Sequence, residues 1–237
     1  SADARIVKAR RRGRTPRRQR RVRRTARPAR VRQPAPQLRE RPGHRHPRDG
    51  RLRDDRRRAL AAKQWAYHYE TKGDYASALE LTERFVQLAQ QANDEKLSGE
   101  GYNQWGKLLY IFRDYDTAQK HLQKALRLAQ QYHDQSAEAD CLANLGAVAR
   151  YQADYEVALY FLQEAVQLWR GMGDQLGLGN GLRQLGQIHY DTGRYMAALA
   201  CYGESLKLHT IIGDPNGEAL ARQVLGQLQR SLGNYDE

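Results

Sequence analysis

The 237-residue sequence is short of what membrane anchoring and most familiar chemistry require. Its two cysteines, Cys141 and Cys201, are too few for a disulfide framework and lack the spacing of a zinc site. A reducing, cytoplasmic setting is the expectation. Even counting Ala and Cys, the longest apolar run is residues 196–202, far below the roughly 20 residues of a membrane span, so no membrane is expected. The first 30 residues are Arg-rich without an apolar core, which is not how a secretory signal reads. Methionine occurs only at 172 and 196, so the natural start is expected elsewhere. There is no HExxH, no GxSxG, no phosphate loop and no glycine-rich dinucleotide turn. No metal, no cofactor and no enzymatic activity are therefore expected.

Charge is unevenly placed. Residues 1–58 hold 23 Arg, one Lys and five acidic residues, a balance of +19, whereas residues 59–237 balance to −6. The net +13 is the sum of two unlike parts. Residues 1–50 contain no aromatic residue and six of the seven prolines, too little apolar surface to offset the entropy of ordering, so this Arg/Pro-rich extension is expected to be disordered. Runs such as Arg10-Arg11-Arg12 and Arg20-Arg21-Val22-Arg23-Arg24 suit an arm that binds nucleic acid or another polyanion. Without rings to stack on bases, such binding is sequence-blind. The same mix of Arg, Pro, Ala, Gly and His is what GC-rich DNA encodes when read out of frame, so a non-native, mis-called stretch is the alternative reading. Residues 1–50 are the one part of the chain that suits nucleic-acid binding.

What the sequence has in abundance is repetition. Tyr75, Tyr115, Tyr155, Tyr195 and Tyr235 recur every 40 residues, as do Asp54, Asp94, Asp134, Asp174 and Asp214. Small residues follow four of the tyrosines by three positions, at Ala78, Ala118, Ala158 and Ala198. A glycine column runs through Gly106, Gly146, Gly186 and Gly226, preceded by a bulky one at Trp65, Trp105, Leu145, Leu185 and Leu225. Several columns in one register define a repeat array.

Each unit reads as two helices. In the third, residues 137–151 place Cys141, Leu142, Leu145 and Val148 on one face, and residues 155–169 do the same with Ala158, Leu159, Leu162, Ala165, Val166 and Trp169. Asp154 between them is a favoured N-cap. The Gly and Ala columns let paired helices approach closely. Gly171, Gly173, Gly177, Gly179 and Gly181 read as the turn after one helix and the opening of the next. No β alternation of useful length appears. The fold class is all-α, a right-handed α-solenoid of antiparallel helix hairpins, with four full repeats and the start of a fifth over residues 54–237.

The run Asn144-Leu145-Gly146, Asp154-Tyr155, Ala158-Leu159, Ala165 resembles a tetratricopeptide repeat of the 40-residue class, as in kinesin light chains, Rap-type regulators and bacterial STAND-type signalling proteins. The resemblance covers residues 54–237, with Trp65-Ala66 replacing Leu-Gly in the first unit and Arg194 replacing Asp in the fourth. It implies a TPR-like superhelix that binds a protein or peptide partner on its concave face, as part of a larger signalling or regulatory protein.

In such an array the first helices of the units line the concave wall. The residue before the bulky column is Gln64, Gln104, Asn144 and Gln184, then Val224. Three positions on come Tyr67, Lys107, Ala147, Gln187 and Gln227, and three further Glu70, Tyr110, Arg150, Tyr190 and Arg230. An amide row can donate to and accept from an extended peptide backbone. By the family resemblance, Asn144 matches an Asn that contacts bound peptide. Lys107, Arg150, Arg183 and Arg230 add preference for acidic peptides. The candidate groove is thus Gln64, Tyr67, Gln104, Lys107, Tyr110, Asn144, Arg150, Arg183, Gln184, Gln187 and Tyr190. His189 has no side chain at i+3 or i+4 able to share a metal, only Thr192 and Gly193.

Overall fold

A computed structural model describes residues 47–233, with side chains from residue 50. The disorder expected of the basic extension falls, up to residue 46, outside the described residues. Nine helices follow one another there: α1 (Pro47–Thr71), α2 (Tyr75–Gln91), α3 (Glu95–Ile111), α4 (Tyr115–Gln131), α5 (Gln135–Tyr151), α6 (Tyr155–Met172), α7 (Gln175–Asp191), α8 (Tyr195–Ile212) and α9 (Pro215–Ser231). They pair as hairpins α1–α2, α3–α4, α5–α6 and α7–α8, with α9 the first helix of a further unit. Among the described residues there is no strand. This is the all-α hairpin solenoid expected from the 40-residue columns.

The turns repeat at half that period. A residue with positive φ follows every helix, at Gly73, Asn93, Arg113, His133, Ala153, Gly173, Gly193, Gly213 and Gly233, a spacing of 20 throughout. The left-handed residue turns the chain back: Ala153 N donates to Arg150 O at 3.0 Å, and Asp154 N to Ala149 O at 2.9 Å. Carbonyls left over at the helix end are thereby satisfied. The next residue is an aspartate N-cap at 74, 94, 114, 134, 154, 174 and 214, whose carboxylate accepts from a backbone N–H of the first turn. Only Arg194, among these caps, makes no such bond.

Packing follows the columns. Ala78, Ala118, Ala158 and Ala198 have no exposed surface, and Leu122, Leu162 and Tyr202 lie buried one turn along from three of them. Opposite sit the glycines. A Cβ at Gly106 would fall 2.5 Å from Leu122 Cγ, one at Gly146 2.8 Å from Leu162 Cγ, and one at Gly186 2.6 Å from Tyr202 Cε1. The hairpin helices are therefore in contact through backbone at the glycine and side chain opposite. As the sequence suggested, Gly173 is the left-handed cap that ends α6, and Gly177, Gly179 and Gly181 lie in the opening turns of α7. Gly177 and Gly181 make room for the Trp169 ring, and Gly179 for the His209 ring. His209 is wholly buried, its Nδ1 3.0 Å from the Asp214 carboxylate.

Candidate functional site

First helices touch across units, α3 with α5, α5 with α7 and α7 with α9, whereas no comparable contact joins successive second helices. First helices thus form the inner wall of the array. The wall holds two neighbouring hollows. One, about 320 Å³, is bounded by Lys107, Tyr110, Asn144, Ala147, Arg150, Tyr151, Arg183, Gln184 and Gln187, with Leu122 and Leu162 at its floor. The other, about 740 Å³ and more open, is bounded by Leu60, Lys63, Gln64, Tyr67, His68, Glu70, Thr71, Glu100, Asn103, Gln104 and Lys107. Lys107 stands between them. Ten of the eleven candidate groove residues lie on one hollow or the other; Tyr190 lies on neither, its hydroxyl 2.7 Å from Ser231 Oγ on α9.

Side chains of this wall are tied across repeats. Lys107 Nζ pairs with Glu70 Oε1 at 2.6 Å, and Arg150 Nε with Asp191 Oδ2 at 2.5 Å. Gln187 Nε2 donates to the other Asp191 oxygen at 3.0 Å and accepts from the Tyr202 hydroxyl at 3.3 Å. Asn144 Nδ2 donates to Asn103 Oδ1 at 2.9 Å, leaving its own Oδ1 without a protein donor among the described residues. Gln184 makes no side-chain hydrogen bond among them. Tyr110 packs edge-on against Tyr151, ring centroids 5.1 Å apart, and the Arg150 guanidinium sits 5.1 Å from the centroid of the Tyr151 ring. Burial, reinforced by the Tyr151 contact, pushes the Tyr110 phenol up, so it stays neutral and able to donate.

Lys107 and Arg150 are thus neutralised in place, which the sequence rows did not reveal. Arg183 is not. Its Nε is buried without a hydrogen-bond partner, and no carboxylate pairs with it among the described residues. Burial lowers its pKa, with a smaller opposing pull from Tyr202. Sequence reasoning also missed Tyr202. It occupies on α8 the place that Leu122 and Leu162 hold on α4 and α6, and its longer side chain carries a hydroxyl through to Gln187 on the inner wall. The signal was there in the sequence: Tyr202 falls in a column that otherwise holds Thr82, Leu122 and Leu162.

Hairpins in a 40-residue register, first helices inward and hollows on the inner wall define a helical-repeat array with a preformed recessed surface. The chain belongs to the tetratricopeptide repeat family, whose model matches residues 97–171 and 178–237. No curated protein matches it in sequence. Among solved structures, it is similar to a Rap protein complexed with Competence and Sporulation Factor, at TM-score 0.71 and 14% identity over 76% of this chain and 50% of that one. It is also similar to aspartyl phosphate phosphatase F from Bacillus subtilis, at TM-score 0.62 and 16% identity over 76% and 50%. A third is BtubC from P. vanneervenii, at TM-score 0.52 and 14% identity over 81% and 95%. The chain spans half the length of the first two.

The second likeness corrects the expectation of a protein without enzymatic activity. A phosphatase is built on the same hairpin array over half its length. The fold is therefore no mark of a non-enzyme, and missing short motifs exclude only the chemistries that carry such motifs. Among the described residues no helix is long and apolar enough to cross a membrane.

Proposed function

We propose that the inner wall of α1, α3, α5 and α7 captures a peptide or helix, from a partner protein or from another part of its own chain. The observation that carries this reading is the smaller hollow. Seven candidate groove residues meet there, with a free acceptor on Asn144 and an unbonded amide on Gln184. Amides that can donate and accept suit a peptide backbone. Their neighbours are held by cross-repeat bonds, so little ordering cost falls on the receptor. A Rap protein of this fold was crystallised with Competence and Sporulation Factor, which supports the assignment of binding to such an array. The match to half of longer proteins supports a place within a larger regulatory protein. The two unpaired thiols, Cys141 buried and Cys201 half-buried, favour the cytoplasm.

The test is Asn144→Ala with Gln184→Ala. Partner binding weakens at least tenfold while helicity stays as in the parent and melting falls only slightly, through the lost Asn144–Asn103 bond; unchanged affinity removes the amide row from the reading. A second reading, polyanion binding through residues 1–50, rests on their charge. It predicts that deleting residues 1–46 abolishes affinity for a polyanion such as heparin together with its salt dependence. Equal affinity and salt slope for the two forms would end it.

A further inference from the structure

Resting on the groove reading, we infer that the smaller hollow accepts a ligand carboxylate at Arg183, so that the bound peptide carries an Asp or Glu side chain at the position lying over α7. The cations of the two hollows are not equivalent. Lys63 is paired with Glu100 at 2.5 Å, Lys107 with Glu70 and Arg150 with Asp191. Arg183 alone among the described Lys and Arg residues lining them has no carboxylate partner. Its Nε is buried and unbonded. Part of its guanidinium, at Nε, is thus shielded from water without a counter-charge, and the planar donor fork is completed by a carboxylate.

The surroundings choose among anions. Two of the three cations on this hollow are already cancelled by Glu70 and Asp191, which leaves a single positive charge to be met. A monoanionic carboxylate balances it. A dianionic phosphate would bring a second negative charge beside the carboxylates of Glu70 and Asp191 with no cation to offset it. The amide of Gln184, next in the chain, and the open Oδ1 of Asn144 lie on the same hollow, placed for the peptide backbone on either side of the acidic residue. Tyr202 backs the site from α8, its phenol held neutral chiefly by burial.

The experiment uses the full chain and a displayed library of random 12-residue peptides. The best binder is synthesised with both ends blocked, once with its acidic residue and once with the matching amide. Both are titrated into the parent, Arg183→Gln, and Asn144→Ala/Gln184→Ala. Removing the acid is expected to weaken binding to the parent by about tenfold to a hundredfold, the range of a charge-assisted hydrogen bond in a protected site. Arg183→Gln should bind the acid and amide forms within about twofold of each other, since the acid then has no cation to meet. Arg183 gives no native hydrogen bond from Nε, and Gln is a good helix former, so the variant keeps the parent's circular dichroism and melts no lower than the parent. Selected peptides without a shared acidic position, or discrimination that survives Arg183→Gln, overturn the carboxylate assignment while leaving the groove standing. Binders insensitive to Asn144→Ala/Gln184→Ala, or a library yielding none, overturn the groove reading and this inference with it. A phosphopeptide that outcompetes its Glu counterpart overturns the choice of carboxylate.

Discussion

Gly106 and Gly226 occupy the same column of the repeat, yet substitution by alanine should move stability in opposite directions. At 106, a Cβ would sit 2.5 Å from Leu122 Cγ, 2.8 Å from Leu122 Cδ2 and 3.1 Å from the Ala118 carbonyl oxygen. Carbon atoms rest at about 3.5–4.0 Å, so α3 and α4 must part by about 1 Å. Leu122 cannot swing aside, being wholly buried, and the carbonyl belongs to the backbone of α4. Overpacking of this kind costs about 1–3 kcal/mol, and a contact with backbone belongs near the top of that range. Alanine's better helix propensity returns about 0.5–1 kcal/mol, leaving a net loss of about 1.5–2.5 kcal/mol. At 226 no heavy atom lies within 4 Å of the added carbon. Only the propensity gain remains, about 0.5–1 kcal/mol. Urea denaturation followed by circular dichroism measures both, and thermal midpoints should separate by several degrees. A neutral Gly106→Ala, or a Gly226→Ala as damaging as its counterpart, would refute close helix approach as the cause of the glycine column.

Ala153 holds φ +62°, a conformation costing an L-residue about 1–2 kcal/mol, so Ala153→Gly should stabilise. After the extra entropy glycine gives the unfolded chain, the gain in urea denaturation is about 0.5–1 kcal/mol. Arg194→Asp supplies the missing N-cap of α8 and should add about 1 kcal/mol in the same assay, with no change expected if the turn cannot orient the carboxylate. Asp140, whose pKa is raised to about 6 by burial, then by Asp174 and against Lys107, opposes folding once ionised. Because its folded pKa lies above the ordinary value, stability falls as pH rises from about 4 to about 6. Asp140→Asn should therefore melt higher than the parent at pH 7 and equal to it below pH 4. Asp140 lines a hollow among α3, α4 and α5 yet still meets solvent, so the difference stays below about 1 kcal/mol. A variant less stable than the parent at pH 7 would contradict the cause given for the shift.

The architecture was legible because its signals lie along one dimension. Columns of Ala, Gly and Tyr at a fixed spacing mark where helices cross, and a solenoid repeats that crossing in every unit. The 20-residue spacing of the left-handed turns escaped notice for a physical reason. Four of the nine positions hold Asn93, Arg113, His133 and Ala153, where the surrounding hydrogen bonds impose a conformation that composition does not advertise. Gly177, Gly179 and Gly181 were legible as the opening of a helix but not as clearance for aromatic rings, since their partners, Trp169 and His209, come from neighbouring helices. The rows read from the sequence do lie on first helices, but their electrostatics could not be read from it. Glu70 is the one acidic residue in a row that otherwise holds Tyr110, Arg150, Tyr190 and Arg230, and it is the counter-ion of Lys107, 37 residues away on another helix.

Those pairings change what the inner wall can offer a ligand. Glu70–Lys107, Arg150–Asp191, Asn103–Asn144 and Tyr190–Ser231 each join one first helix to the next, at separations of 37 to 41 residues. The same polar side chains therefore fasten successive units and surface the groove. Exposed pairs contribute little to stability individually, at most about 1 kcal/mol. Their larger effect is to fix rotamers in advance, so that a ligand is not charged the ordering of Lys107, Arg150 and Asn144 when it binds. It also follows that deleting one of these side chains perturbs the wall twice, through lost ligand contact and through a loosened neighbour. Glu70→Gln separates the two: it touches the groove through Lys107, frees that ammonium, and should tighten binding of an acidic peptide at low salt while lowering the melting temperature only slightly. If acidic and neutral peptides respond to Glu70→Gln alike, the internal pairing of Lys107 is not what leaves Arg183 as the groove's one open cation.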